Sequence, residues 1–281
     1  MWAINKSPLI IGAAVDPDKL NQHSLEILSN KEVIALNQDP LARQAQLVRR
    51  YTEEGYDIWL GELSGSRQVL GIANWKNDSQ TVNIDLASLG IGSAQANDVW
   101  AAKDVGKVEG VQKVDLVGHE LRLWIFSNIT VAAPLKSTGY HSASNATLSG
   151  AAKLVSCSSG NCLPTGSKIG SIASGSSATF TKVVASSPGK KILGVDFVNY
   201  DYAFETAWQW GDNARNATIS VNGCAAKRWA FPLSGGNWEE SGRLTVEVDG
   251  FAEGANNTVV FGGYGNATSW APDFVGFEIL E

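Results

Sequence analysis

The stretch "YDIWLGELSGSRQVLGIANW", Tyr56 to Trp75, holds two short apolar runs rich in aromatic and β-branched residues, separated by Ser64-Gly65-Ser66. Runs of this length, bounded by turn formers, read as strands; a helix would repeat its apolar positions at i, i+3 and i+4 over ten or more residues. The pattern continues in "TVNIDLASLG" (Thr81 to Gly90), "NDVWAAKDVG" (Asn97 to Gly106) and "ELRLWIF" (Glu120 to Phe126). Five or more strands at this spacing predict an antiparallel sandwich or barrel over residues 45–131. Trp59, Trp75, Trp100 and Trp124 each lie in or at the end of a run and are expected in its core.

Thr130 to Gly139, "TVAAPLKSTG", lacks periodicity and marks a domain boundary. Beyond it a second series of strand-like runs fills residues 139–281, among them "SATFTKVVA", "KKILGVDFVNYD", "RNATISVNG", "GRLTVEVDGF" and "FVGFEIL". The connecting loops carry Tyr202, Trp208, Trp210, Trp238, Tyr264 and Trp270, and no internal repeat relates the two series. The fold class expected is mainly β.

Upstream lies "SPLIIGAAVDPDKLNQHSLEILSNKEVIALNQDPLARQ", Ser7 to Gln44. Leu9 to Ile11, bounded by Pro8 and Gly12, reads as a strand buried on both faces, and Leu25-Glu26-Ile27-Leu28 as part of a short amphipathic helix. Val33 to Leu36 reads as a second strand, stopped before Pro40. Strand, helix, strand is one βαβ unit, which requires parallel neighbours. Residues 1–44 are therefore expected to expose strand edges and apolar faces and to promote association, and their removal to improve solubility.

A net charge of -6 with scattered Lys and Arg leaves no basic face for nucleic acid, and no apolar run approaches the about 18 residues that span a membrane. Asn77, Asn128, Asn145, Asn216, Asn256 and Asn266 each open an Asn-X-Ser/Thr sequon, which points to a glycosylated, secreted protein. The start, "MWAINKSPLIIGAAV", mimics a weak signal peptide but reads better as structure. Cys157 and Cys162 flank "SSGN" and could close a small disulfide loop, leaving Cys224 unpaired; no Cys/His spacing suggests zinc. No nucleophile elbow, phosphate loop or metalloprotease motif occurs, and His23, His119 and His141 are isolated. Asp16, Asp18 and Asp39 follow the two strand readings, where barrel enzymes place functional groups, though ending a strand or holding the turn before Pro40 is the simpler role.

"WAINKSPLIIG" with "LEILSNKEVIALNQDPL" resembles the end of the catalytic (β/α)8 barrel of α-galactosidases of glycoside hydrolase family 27. "VLGIANWKNDSQTVNIDLASLGI" with "NDVWAAKDVG" resembles the antiparallel domain that follows this barrel. "ATLSGAAKLVSC", "RNATISVNG", "FPLSGGNW" and "SWAPDFVGFEIL" resemble a carbohydrate-binding module of the family 35 type, an order of modules that suggests a fungal enzyme. The resemblance implies the last two barrel strands over 1–44, the glycosidase β domain over 45–131 and the module over 139–281. It implies hydrolysis of terminal α-galactosides by the whole enzyme, with retention, using two carboxyl groups about 5–5.5 Å apart. Both map upstream of Met1, so no catalytic residue is assigned here, and the chain is expected to be a C-terminal piece, inactive by itself. The alternative is a secreted carbohydrate-binding protein that works without catalysis.

In the module the resemblance implies sugar binding by Trp238, Tyr264 and Trp270, with Asn266 between the last two. Ser142 and Ser144 replace the paired glutamates that hold a structural calcium in family members, and only Asp273 remains, a poor set for a cation needing six to eight oxygens. No metal and no cofactor are expected. The expected partner is carbohydrate, α-galactosides or plant polysaccharide, with no nucleic acid or membrane.

Overall fold

The computed structural model describes residues 1–12, 16, 18–201, 213–266 and 269–281. One compact unit comprises Met1–Val48 and Gly55–Pro134, the other Leu135–Glu281 and Arg49–Glu54. The first carries helices α1 (Gln22–Leu28) and α2 (Lys31–Asn37). Strand β1 (Gln46–Tyr51) begins in it, and its further strands are β2 (Tyr56–Leu63), β3 (Arg67–Asn74), β4 (Gln80–Asp85), β5 (Ile91–Asp98), β6 (Lys103–Glu109), β7 (Val111–Leu116) and β8 (Leu121–Val131). A six-stranded sheet runs β1-β2-β3-β8-β5-β6, and β4 pairs with β7 in a second sheet. Tyr56 pairs with Asn74 and Leu63 with Arg67, so the Tyr56–Trp75 stretch is a hairpin. Its turn holds Gly65 and Ser66 at positive φ, the twist that brings two strands back together.

The two strands read over residues 7–36 do not form. Ser7–Gly12 has no regular structure, and Ile10 and Ile11 are 78% and 49% exposed, because a strand buried on both faces exists only where neighbours cover it. Val33 to Leu36 lies inside α2. Asn30 caps that helix, its side chain accepting from the Val33 amide at 3.1 Å. Val33 and Leu36, three residues apart, then share the face that packs on the core. A four-residue apolar run fits either geometry, and the cap together with the packing selects the helix.

Ala3, Ile4, Leu36 and Ala45 are buried with Leu63, Val69, Val99 and Leu123. Gly71 permits this approach, since a Cβ there would stand 3.2 Å from Ile4 Cδ1. Asp39, 6% exposed, accepts from the Ser64 amide (2.9 Å) and hydroxyl (2.8 Å), the Leu41 amide (3.1 Å) and Arg67 (3.1 Å), tying the end of α2 to the β2–β3 turn. Residues 1–44 are thus an integral layer of this unit. Their removal would uncover its core, so a loss of solubility is expected in place of a gain; of the two apolar runs expected to be exposed, Leu9, Ile10 and Ile11 are, whereas Leu36 is buried. Of the four tryptophans placed in the core, Trp124 is buried and Trp59 packs against the buried cluster. Trp75 and Trp100 are instead half-exposed, because their indole N–H groups seek polar partners, Asp57 Oδ2 at 3.0 Å and the Leu121 carbonyl at 2.8 Å.

In the second unit the strands are β9 (Ser137–Ser142), β10 (Thr147–Ser149), β11 (Lys153–Ser156), β12 (Ser167–Gly170), β13 (Ser177–Ala185), β14 (Gly189–Val198), β15 (Arg215–Val221), β16 (Lys227–Phe231), β17 (Gly242–Phe251), β18 (Gly254–Gly263) and β19 (Asp273–Leu280). They form two antiparallel sheets, β10-β13-β18-β15-β16 and β11-β12-β19-β14-β17, with β9 also paired to β19. Strand alternation sends Leu193, Val195 and Phe197 inward from β14 and Val259 and Phe261 from β18. Phe180 meets Phe261 at 5.8 Å and Phe277 at 5.1 Å, both edge to face, and Phe261 lies 4.6 Å from Phe274. These rings fill the sandwich, and edge-to-face contacts add about 0.5–1.5 kcal/mol each beyond burial.

Candidate functional site

The pairings Phe197 with Gly242, Val198 with Asp273, Ala217 with Gly263 and Ser177 with Gly262 bring four connections to one end of the second unit. These are the loops β12–β13, β14–β15, β16–β17 and β18–β19. Asn199, fully buried, locks two of them together. Its amide nitrogen donates to the Phe231 and Pro232 carbonyls, both at 3.1 Å, and its backbone exchanges hydrogen bonds with Ser234. Its side-chain oxygen accepts from the Asp201 amide at 3.1 Å.

Arg215, at the start of β15, joins three of the loops. Nε donates to Asp201 at 3.0 Å, Nη1 to the Ala271 carbonyl at 3.3 Å, and the guanidinium carbon lies 4.6 Å from the Trp238 ring centroid. Tyr200 meets Trp238 edge to face at 6.3 Å. Trp238 and Cys157 both pack against the buried cluster of Cys162, Val198 and Val275, and Cys157 and Cys162 form a disulfide while Cys224 is free and exposed. Lys168, only 7% exposed, donates to the Trp238 carbonyl and pairs with Asp273 at 2.8 Å. Asp273 is therefore committed to an ammonium group, while Ser142 and Ser144 bond each other at 3.1 Å. Among the described residues no cluster of three or more His, Cys, Asp or Glu side chains is placed to hold a metal.

Of the three aromatics named from the sequence, Trp238 is half-buried with a guanidinium over its ring, a poor open platform. Trp270 is 43% exposed, in the β18–β19 loop, and the amide of its neighbour Ala271 donates to the Ile172 carbonyl of the β12–β13 loop at 2.8 Å. Tyr264 is 44% exposed, with Arg228 at 5.1 Å from its ring. Trp238 and the Trp270–Ala271 stretch meet at Arg215; Tyr264 turns to Arg228 and through it to Asn216, whose side-chain oxygen accepts from Arg228 at 3.2 Å. Tyr202, Trp208 and Trp210 lie outside the described residues. Arg215, Asp201 and Asn199 went unnoticed in the sequence, because an Arg, an Asp or an Asn near a strand end carries no local signal of the loops it will bridge.

The described carboxylates include one close set, on the outer face of the β19-β14-β17 sheet. Arg243 donates to both oxygens of Asp196 at 2.8 Å and also to Glu278, and Tyr140 donates to Asp196 at 2.9 Å. Burial works to raise the Glu278 carboxyl, but the hydrogen bond with Ser137 and the Arg243 guanidinium outweigh it and hold the group below the usual range. A general acid for glycoside cleavage must stay protonated near neutral pH. Glu278 is held toward the ionised form instead, and the hydrogen bonds of the cluster make it a structural clamp.

Asn77, Asn128, Asn145, Asn256 and Asn266 are exposed, and Asn216 is half-buried on β15. Among the described residues no helix is long and apolar enough to cross a membrane.

Antiparallel sheets in sandwich domains, with little helix, define a mainly β protein whose second unit exposes aromatic residues on its loop end. Residues 53–126 match the family described as the alpha galactosidase C-terminal beta sandwich domain. The whole chain aligns with the probable alpha-galactosidase D of Neosartorya fischeri, 32% identical over 380 residues, and with alpha-galactosidase D of Emericella nidulans, 31% identical over 388 residues. The chain is thus related along its full length to fungal α-galactosidase D, as the sequence motifs implied. It spans 58% of the length of each of these two relatives. Among solved structures, a family 35 carbohydrate binding module from Clostridium thermocellum covers 51% of this chain and 99% of its own (25% identity, TM-score 0.44). Alpha-galactosidase I from Mortierella vinacea covers 47% of this chain and 34% of its own (26% identity, TM-score 0.42).

Proposed function

We propose that the chain is the carbohydrate-binding, non-hydrolytic part of a secreted α-galactosidase-type protein, with residues 45–131 as the glycosidase β domain and 139–281 as a binding module. The observation that carries this reading is the convergence of Trp270, Trp238, Arg215 and Asp201 at one loop end. An aromatic face beside fixed polar groups suits the apolar face and hydroxyls of a pyranose. Exposed sequons and the Cys157–Cys162 bridge support a secretory route. The ligand class is galactose-containing glycan, held through Trp270 with Trp238 as the supporting ring, while Tyr264 has Arg228 against its own ring. No calcium takes part, since Asp273 is paired with Lys168.

The test is a titration of the full, deglycosylated chain with galactose-containing oligosaccharides by calorimetry, with and without chelator, beside an assay on an aryl α-galactoside. Binding at about 0.1–10 mM, indifferent to chelator and lost in Trp270→Ala, is expected. No turnover above a buffer blank is expected either. Turnover that survives removal of host glycosidases would overturn the non-hydrolytic part, and absence of any saturable binding the module part.

A further inference from the structure

We propose that the first unit carries a saccharide-binding cleft of its own at the β1–β2–β3 edge of its six-stranded sheet. A cleft of about 520 Å³ opens there, within the range of small-molecule sites. Gln44 and Gln46 enter it from the start of β1, and Glu62 and Gln68 from the β2–β3 hairpin, where they are cross-strand partners. Leu60 and Val48 supply its apolar lining.

Three features fix the ligand class. Gln68 Oε1 is buried without a hydrogen-bond partner among the described residues, and Gln44 and Gln46 are exposed. Each carboxamide offers two donors and an acceptor side by side, the complement of neighbouring hydroxyls, which both donate and accept. Among the described residues that line the cleft, the charged ones are Arg43 and Glu62, which pair with each other and are more than half exposed, so they leave no free cation for a phosphate or carboxylate ligand. Amides around an aliphatic floor therefore favour a neutral pyranose lying with its C–H face on Leu60 and Val48. This site is independent of the loop-end reading of the second unit.

The experiment follows the side-chain amide NMR signals of Gln44, Gln46 and Gln68 in the full chain during titration with D-galactose, D-mannose and a galactomannan oligosaccharide, with glycerol as control. Saturable shifts between about 1 and 100 mM saccharide, absent with glycerol, are expected. In the variant Q44A/Q46A/Q68A the same binding should weaken about tenfold or more while the Trp270 indole signal keeps its own response. Glutamine signals that stay unmoved, that move equally with glycerol, or that respond to an extended peptide and to no saccharide would overturn the proposal. These outcomes are read on the unaltered protein and do not depend on the variant folding.

Discussion

The Arg215 guanidinium lies 4.6 Å from the centre of the Trp238 ring while its Nε donates to Asp201 at 3.0 Å. One face of Trp238 is thereby occupied by the protein itself, while Trp270 is left open at 43% exposure. The two tryptophans should respond differently to truncation. Trp238→Ala removes packing from Cys162, Val198 and Val275 and should cost about 2–4 kcal/mol in urea unfolding. Trp270→Ala should change stability by less than about 1 kcal/mol and act on glycan binding. Equal destabilisation by both would place Trp270 in the core.

Arg243→Ala leaves Asp196 buried and without its principal partner, although Arg243 itself is 42% exposed and partly screened. The expected loss is about 2–4 kcal/mol, below the full value for a sequestered pair. Adding Asp196→Leu to Arg243→Met should recover much of it, since an apolar pair of similar volume has no charge to leave stranded. A double variant weaker than the single one would show that the clamp stabilises by more than its own compensation.

The pH dependence follows from Glu278 and Glu281. Burial works to raise both, but Ser137 and Arg243 around the first, and Lys191 and Ser186 around the second, hold each below its ordinary value. A depressed carboxyl contributes stability that is complete above the unfolded value of about 4.3 and vanishes as pH falls through the folded value. Melting of the second unit should therefore be flat from about pH 7 to 5 and fall steeply below about 4. Removing Arg243 should flatten the acid limb, and a limb unchanged in Arg243→Ala would count against the assignment.

Asp39→Ala removes an acceptor that holds four donors between α2 and the β2–β3 turn and should cost about 2–4 kcal/mol. Leu36→Ala, on the same helix and 2% exposed, should cost about 2–5 kcal/mol. Deletion of residues 1–44 should then lower solubility. Sedimentation of the deleted chain beside the parent distinguishes this from a dispensable N-terminal layer.

Glycan occupancy should spare one sequon. Asn216 sits within β15 between two paired strands and accepts from Arg228, whereas the other five asparagines are exposed. Peptide mapping by mass spectrometry of protein made in a secretory host should find glycan at several of Asn77, Asn128, Asn145, Asn256 and Asn266 and none at Asn216.

The strands were legible in the sequence because their signal is local. Leu193, Val195 and Phe197 alternate with Gly194 and Asp196, and the chain needs no distant partner to declare a period of two. The relation to α-galactosidases was legible for a similar reason, being carried by contiguous motifs. Val33 to Leu36 was not, since its four apolar residues suit a strand or a helical turn, and the choice fell to the Asn30 cap and the core that receives Leu36. Nor could the sequence tell Trp238, covered by Arg215 from β15, from Trp270, which stays open. Lys168 and Asp273 are far apart in the chain, yet their 2.8 Å contact decides that this carboxylate is held by an ammonium group. Alternation and motif are properties of neighbours along the chain, whereas which face a ring exposes and which charge a carboxylate meets depend on sheet register and loop convergence, and these exist only once the sandwich has closed.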